Sequence, residues 1–386
     1  MKKQESFSLE KGGSQELDDD GKLRRTGTWM SASAHIITAV VGSGVLSLTW
    51  CLAQLGWIFG TCLLLVFAII SWYTCILLTN CYRSPDPITG ARNYNYMQAV
   101  KANLGGRIQH IFCAIAQYET LIGVSIGYTI TSSISMAAIK RSNCFHRYGQ
   151  QKGCHTLNTS YLLIFACIEI ILSQIPNFHK LSFLSVIATI MSFAYSTIGI
   201  GLSIAKIAGY AAFGSDAPGN YLTGFGFYEP FWLVDIANLC IVIHLVGAYQ
   251  VVVQPIFAFV ENWSCRKWPE SKFVNKEYAI GYFRINLYRV IWRSTYVLLA
   301  SLVAMIFPFF NEFLALIGST TFWPMAVYFP IEMYLSQAKI RRNSLRWISL
   351  KILSLVCLVV SLLAAAGSVR GLLVSVKNFK LFQSVS

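Results

Sequence analysis

Five consecutive residues, Val41-Gly42-Ser43-Gly44-Val45, interrupt an apolar stretch as long as a membrane helix. Glycine is a weak helix former and accepts unusual backbone angles. A break here frees backbone N–H and C=O groups at mid-depth, where they persist only if they line a cavity or meet a ligand. N–H groups at the start of a half-helix suit a carboxylate, and opposing carbonyls suit a cation. Close helix packing through small residues explains the same pattern equally well. His35 stands within two turns of the break, and histidine titrates near physiological pH. Glu119 and His244 lie deep in later apolar stretches, with Tyr118 and Gln250 adding polar groups beside them. Glu169, Asp235, Glu312 and Glu332 complete the ionisable set. Charged groups are expensive in lipid, so each is a candidate for function, here proton coupling for His35, Glu119 and His244. A hydrogen-bonded structural role is at least as good a reading for each taken alone, and Asp235, Glu312 and Glu332 lie near stretch ends, within reach of the interface.

Nothing in the chain argues for an enzyme, a cofactor or a metal. It has no glycine loop followed by Lys and Ser/Thr, no His-Glu-x-x-His pair and no Cys-x-x-Cys. Cys144 and Cys154 stand near His146 and His155, but their spacing matches no zinc finger.

The elements that must hold these residues follow from composition. Of 386 residues, 55% are hydrophobic and 12% are charged, and the mean hydropathy is +0.53. A soluble domain carries about 25% charged residues, so the surplus apolar surface must face lipid. Nine stretches suit membrane helices: 33–53, 57–80, 111–139, 161–175, 181–206, 231–260, 294–310, 313–335 and 347–369. The expected class is an all-α, polytopic membrane helix bundle. The net charge of +14 is scattered between the stretches, which argues for topology and against nucleic-acid binding. Most of the 31 basic residues fall on one side if the N-terminus is cytosolic. Nine spans then put the C-terminus outside. The head, residues 1–30, reads as a disordered tail without a cleavable signal, residues 31–370 as the membrane domain, and 371–386 as a second tail. The segment 140–160 falls outside, where Cys144 and Cys154 can form a disulfide and Asn158-Thr159-Ser160 is a glycosylation sequon.

Several blocks together carry a resemblance: Gly27-Thr28-Trp29, His35 through Leu48, Ala53-Gln54-Leu55-Gly56-Trp57, Ile126-Gly127-Tyr128-Thr129-Ile130, Ser173-Gln174-Ile175-Pro176 and Leu222 through Trp232. From about Thr26 to about Gly367 the chain resembles the plant amino acid permease family, in the amino acid/auxin permease superfamily. The resemblance implies proton-coupled uptake of amino acids of broad specificity across the plasma membrane. It implies two inverted five-helix repeats and a final helix, with the broken first helix of each repeat forming the substrate site. On that reading Gly42, Ser43 and Gly44, flanked by Val41 and Val45 and joined by Tyr118, hold the substrate.

One departure stands out. In the family pattern Ile200 through Lys206 ends the fifth helix and Gly209 through Gly214 ends the seventh. Here the two run together, so a deletion near 206–210 removes about two helices and leaves nine spans instead of eleven. The missing sixth helix would carry the opposite half of the substrate site. A shortened form of this kind has a second reading: a transport-deficient chain that associates with full-length permeases and regulates them.

Overall fold

A computed structural model describes residues 27–40, 44, 47–149, 154, 157–175, 182–205, 231–280, 283–307 and 309–378. The long apolar runs become helices because a chain in lipid must satisfy its backbone within each segment. The first run is divided between α1 (Trp29–Val40) and α2 (Leu48–Leu55). Gly56, at φ +78°, then turns the chain into α3 (Trp57–Asn80). Its 24 residues reach about 36 Å at 1.5 Å per residue, enough for the roughly 30 Å hydrocarbon core. A small hairpin, β1 (Arg83–Ser84) with β2 (Ala91–Arg92), leads to α4 (Tyr96–Leu104). Asn95 caps α4 by accepting from the Gln98 N–H at 2.8 Å, and Gly105 ends it in the left-handed region.

Two long helices form the centre, α5 (Arg107–Tyr148) and α8 (Phe231–Lys267). Between them in sequence come α6 (Asn158–Ser173) and α7 (Ser182–Ala205). After α8 follow the short α9 (Lys272–Asn275) and a second hairpin, β3 (Glu277–Ile280) with β4 (Phe283–Asn286). The chain continues with α10 (Leu287–Ile306), α11 (Phe310–Phe322), α12 (Phe329–Gln337) and α13 (Leu345–Asn378). Helices α11 and α12 are joined without interruption by a π-helical turn, Trp323–Tyr328. Pro324 lacks an N–H and crowds the preceding turn, which favours this wider winding.

α8 packs along α5 and α7, α6 lies against α5, α8 and α10, and α1 rests on α7. Tyr128, Phe165, Tyr195, Ile241, Tyr249 and Phe257 are among the buried residues of this main core. A second cluster joins α3, α12 and α13 through Leu77, Ile331 and Leu350. α3 and α13 turn most of their apolar surface outward, with Ile58, Trp72, Leu345 and Leu363 well exposed. Surface of that kind on helices of spanning length belongs in lipid.

Among the described residues, seven helices are long and apolar enough to cross a membrane. The sixteen-residue α6 is a shorter apolar helix, and the first expected span falls on α1 and α2. The protein is a polytopic, helical membrane protein. Two boundaries differ from the sequence reading. The segment 140–160 is not all loop, because α5 runs on to Tyr148; no glycine or proline interrupts 140–148, and the chain first turns at Gly149, φ +68°. At the other end α13 continues to Asn378, into the segment read as a tail.

Candidate functional site

Four of the five residues at the break, Val41, Gly42, Ser43 and Val45, lie outside the described residues. Gly44 is described. Its carbonyl accepts from the Ser47 hydroxyl at 2.8 Å. A Cβ built on Gly44 would lie 4.0 Å from Leu314 of α11, and one on Gly127 of α5 would lie 4.0 Å from the same leucine. Leu314 thus stands near both Gly44 and Gly127.

Along α5, Glu119, Gly123 and Gly127 recur every four residues and share one face. At Gly123 a Cβ would sit 2.6 Å from Ile317, so the missing side chain is what lets α11 approach. One turn further, the Thr320 hydroxyl meets Glu119 Oε1 at 2.5 Å. The half-buried Tyr118 points to another neighbour, with its ring 4.6 Å from that of Phe259 on α8. Gly44, the glycine face and Glu119 therefore lie along the α5–α11 seam, and Tyr118 is turned from it toward α8.

His35 is half-buried on α1. One turn on, Thr38 is fully buried and ties α1 to α7, donating to the Ser185 carbonyl at 3.1 Å and meeting Thr189 Oγ1 at 3.0 Å. His244, on α8, is buried and also faces α7. Its Nδ1 lies 2.9 Å from the Ala188 carbonyl and 2.8 Å from Ser192 Oγ. A carbonyl only accepts, so Nδ1 carries the proton and Nε2 is left bare. Nε2 has no hydrogen-bond partner among the described residues. Glu119 and His244 are directed at different helices and do not form one cluster.

The sequence names Glu169 and Gln250 separately but does not show that they meet in a polar centre between α6, α8 and α10. Glu169 is completely buried, and Gln250 Nε2 donates to its Oε2 at 2.6 Å and to Ser173 Oγ at 3.1 Å. At the end of α6, Arg293 Nη1 donates to the Ser173 carbonyl at 2.7 Å. The same guanidinium holds Glu261 by both oxygens, Nε to Oε1 at 2.7 Å and Nη2 to Oε2 at 3.1 Å. Arg289 approaches Glu261 at 3.4 Å and Glu277 at 3.6 Å.

The model for the family described as transmembrane amino acid transporter protein matches residues 25–208 and 204–374. Amino acid permease 6 of Arabidopsis thaliana is 50% identical over 457 aligned positions, covering 95% of this chain and 95% of the relative. Amino acid permease 1 and amino acid permease 8 of the same plant are each 48% identical over 456 positions. They cover 96% of this chain and 94% and 96% of their own lengths, respectively. The chain belongs to the plant amino acid permease family. These alignments are longer than the permease itself, at 386 residues, so they carry gaps on its side. The two matched stretches of the family model meet at 204–208.

The other expected groups of the permease are peripheral. Cys144, on the last turns of α5, is disulfide-bonded to Cys154 with 5.9 Å between Cα atoms, an ordinary separation for a bridge. Asn158 opens α6 and is half-buried. Asp235 accepts from Asn143 Nδ2 at 2.6 Å, Glu332 pairs with Lys351, and Glu312 accepts from Ser375 at 3.4 Å. Among the described residues no three His, Cys, Asp or Glu side chains gather as a metal site would require.

Proposed function

We propose that this permease carries amino acids of broad specificity across the plasma membrane together with protons. The observation that carries the reading is its likeness, over nearly its whole length, to relatives named amino acid permeases. The geometry is compatible with it. Gly44 and the α5 glycine face both approach Leu314, where backbone groups freed at Val41 through Val45 would meet a carboxylate, and Tyr118 lies further along α5. His35, Glu119 and His244 are the titratable groups we assign to proton coupling. The bare Nε2 of His244 is suited to take a proton, which would convert it to a donor. Basic residues on the connecting segments favour a cytosolic N-terminus and, with nine spans, an extracellular C-terminus. The disulfide and the Asn158 sequon, which suit the extracellular side, accord with this. Uptake of labelled amino acids by transport-deficient cells expressing this chain tests the reading. It is expected to exceed background, to rise several-fold when the medium is acidified, and to collapse with a protonophore. Surface-expressed protein with background uptake would refute transport. Uptake indifferent to pH and protonophore would refute proton coupling alone.

A second reading is favoured by the junction near 206–210, where the family match divides, and by relatives' alignments that are longer than this chain. In this reading a form lacking about two helices, including half of the substrate site, associates with full-length permeases and regulates them. Co-expression with a full-length relative is then expected to change that relative's uptake or surface level and to yield a co-purifying complex. Unchanged uptake with no complex would exclude it.

A further inference from the structure

Two carboxylates stand at the inner core of α6 and α8, and their surroundings set them apart. Glu261 is gripped by Arg293 and approached by Arg289, so its ionised form is compensated. Glu169 is completely buried, and among the described residues no basic side chain pairs with it. Its Oε2 accepts one hydrogen bond, from the neutral amide of Gln250. Its Oε1 has no partner among the described residues. An ionised carboxylate in that setting has one lone donor and no counter-charge, a poor state for a buried group. A neutral acid is far better suited, since its carbonyl oxygen can keep the Gln250 bond while the other oxygen carries the proton. Gln250 thus serves both protonation states, which a lysine or arginine in its place would not.

The groups facing Glu169 from each neighbouring helix agree. From α8 come Gln250 and Tyr249; Tyr249 is within electrostatic reach, and its own hydroxyl has no hydrogen-bond partner among the described residues. From α10 come Arg293, engaged with Glu261 and the Ser173 carbonyl, and Tyr296, hydrogen-bonded to Ser125 at 2.8 Å. On α5 the only acidic residue, Glu119, is directed elsewhere and meets Thr320 on α11.

We propose that Glu169 is a reversible proton-binding site of this permease, with Gln250 as the partner that accommodates both of its states. The inference rests on proton-coupled transport for its purpose but not for its chemistry. On the orientation given above, Glu169 lies one turn from the inner end of α6, at Ser173. His244 precedes Gln250 by six residues on α8, about 9 Å along the axis, and faces α7 where Gln250 faces α6. Because Glu169 is sealed in this arrangement, its exchange with water requires α6 and α8 to part.

Infrared difference spectra of the purified full chain in nanodiscs, taken between acid and alkaline pH, test the site. A protonated-carboxyl C=O band that shifts in heavy water and fades on raising the pH is expected. It should vanish in Glu169→Gln and move to another frequency in Glu169→Asp. If Glu169→Gln does not fold, the shift in Glu169→Asp makes the assignment. A band unchanged in both variants, a band that persists at every pH, or no band in well-folded parent protein would overturn the proposal. Loss of pH-dependent uptake with the band intact would instead remove proton coupling and leave the site standing.

Discussion

Replacing Arg293 with methionine is expected to lower the stability of the permease by about 3 kcal/mol, the lower end of the range for breaking a buried ion pair. The side chain is nearly covered, and it joins three helices at once. It donates to the carbonyl of Ser173 at the end of α6 and to that of Ile175 just beyond it, at 2.7 and 3.3 Å, and it holds both oxygens of Glu261 on α8. Its removal leaves Glu261, itself largely covered, with Arg289 alone at 3.4 Å. That residual contact is why the loss is placed at the low end. Most of the loss comes from stranding a charge, so Glu261→Met on top of Arg293→Met should recover much of it. Lysine at 293 should rescue little, because a point charge cannot span a carboxylate and a carbonyl as the planar fork does. Thermal unfolding in detergent, followed by the fraction remaining monodisperse, reads all three variants. Arg293→Met as stable as the parent, or a double variant no better than the single, would contradict the assignment.

The helices were legible because lipid imposes a simple rule. A run of apolar residues long enough to cross must be helical, and the nine stretches fall on helices among the described residues, the first on α1 and α2 and 313–335 on α11, the π-helical turn and α12. The expected interruption at Val41 through Val45 falls mostly outside the described residues. Pairings between helices were not legible. Glu169 and Gln250 are 81 residues apart, and Arg293 and Glu261 are 32 apart. A sequence shows that each is polar in an apolar stretch, but not which neighbour it faces. Part of the answer was nonetheless present. His244, Gly247, Gln250 and Gln254 recur every three or four residues on α8, a small and polar stripe in an otherwise apolar helix. Reading that stripe as an inward face would have drawn Gln250 into the candidate site. The glycine face of α5 was open to the same reading, since Gly123 and Gly127 are four apart and Glu119 continues their line.

That stripe also carries the second large effect. Gly247→Ala is expected to destabilise the fold by about 1–3 kcal/mol, as overpacking does, and Gly247→Val by more. A Cβ at Gly247 would stand 2.8 Å from the Leu184 carbonyl oxygen and 2.9 Å from Ala188 Cβ. The first of these is backbone and cannot rotate away, so α7 and α8 would have to separate. Their separation would also stretch the contact one turn earlier, where His244 Nδ1 meets the Ala188 carbonyl at 2.9 Å. The same substitution at Gly201 on α7 supplies the control, because a Cβ there meets nothing within 4 Å. In that open position alanine improves helix propensity by roughly 0.5–1 kcal/mol. The two alanines should therefore move the melting temperature in opposite directions. A Gly247→Ala protein at least as stable as the parent would mean that α7 and α8 are not held in this close register. The environment assigned to His244 would then have to be redrawn as well.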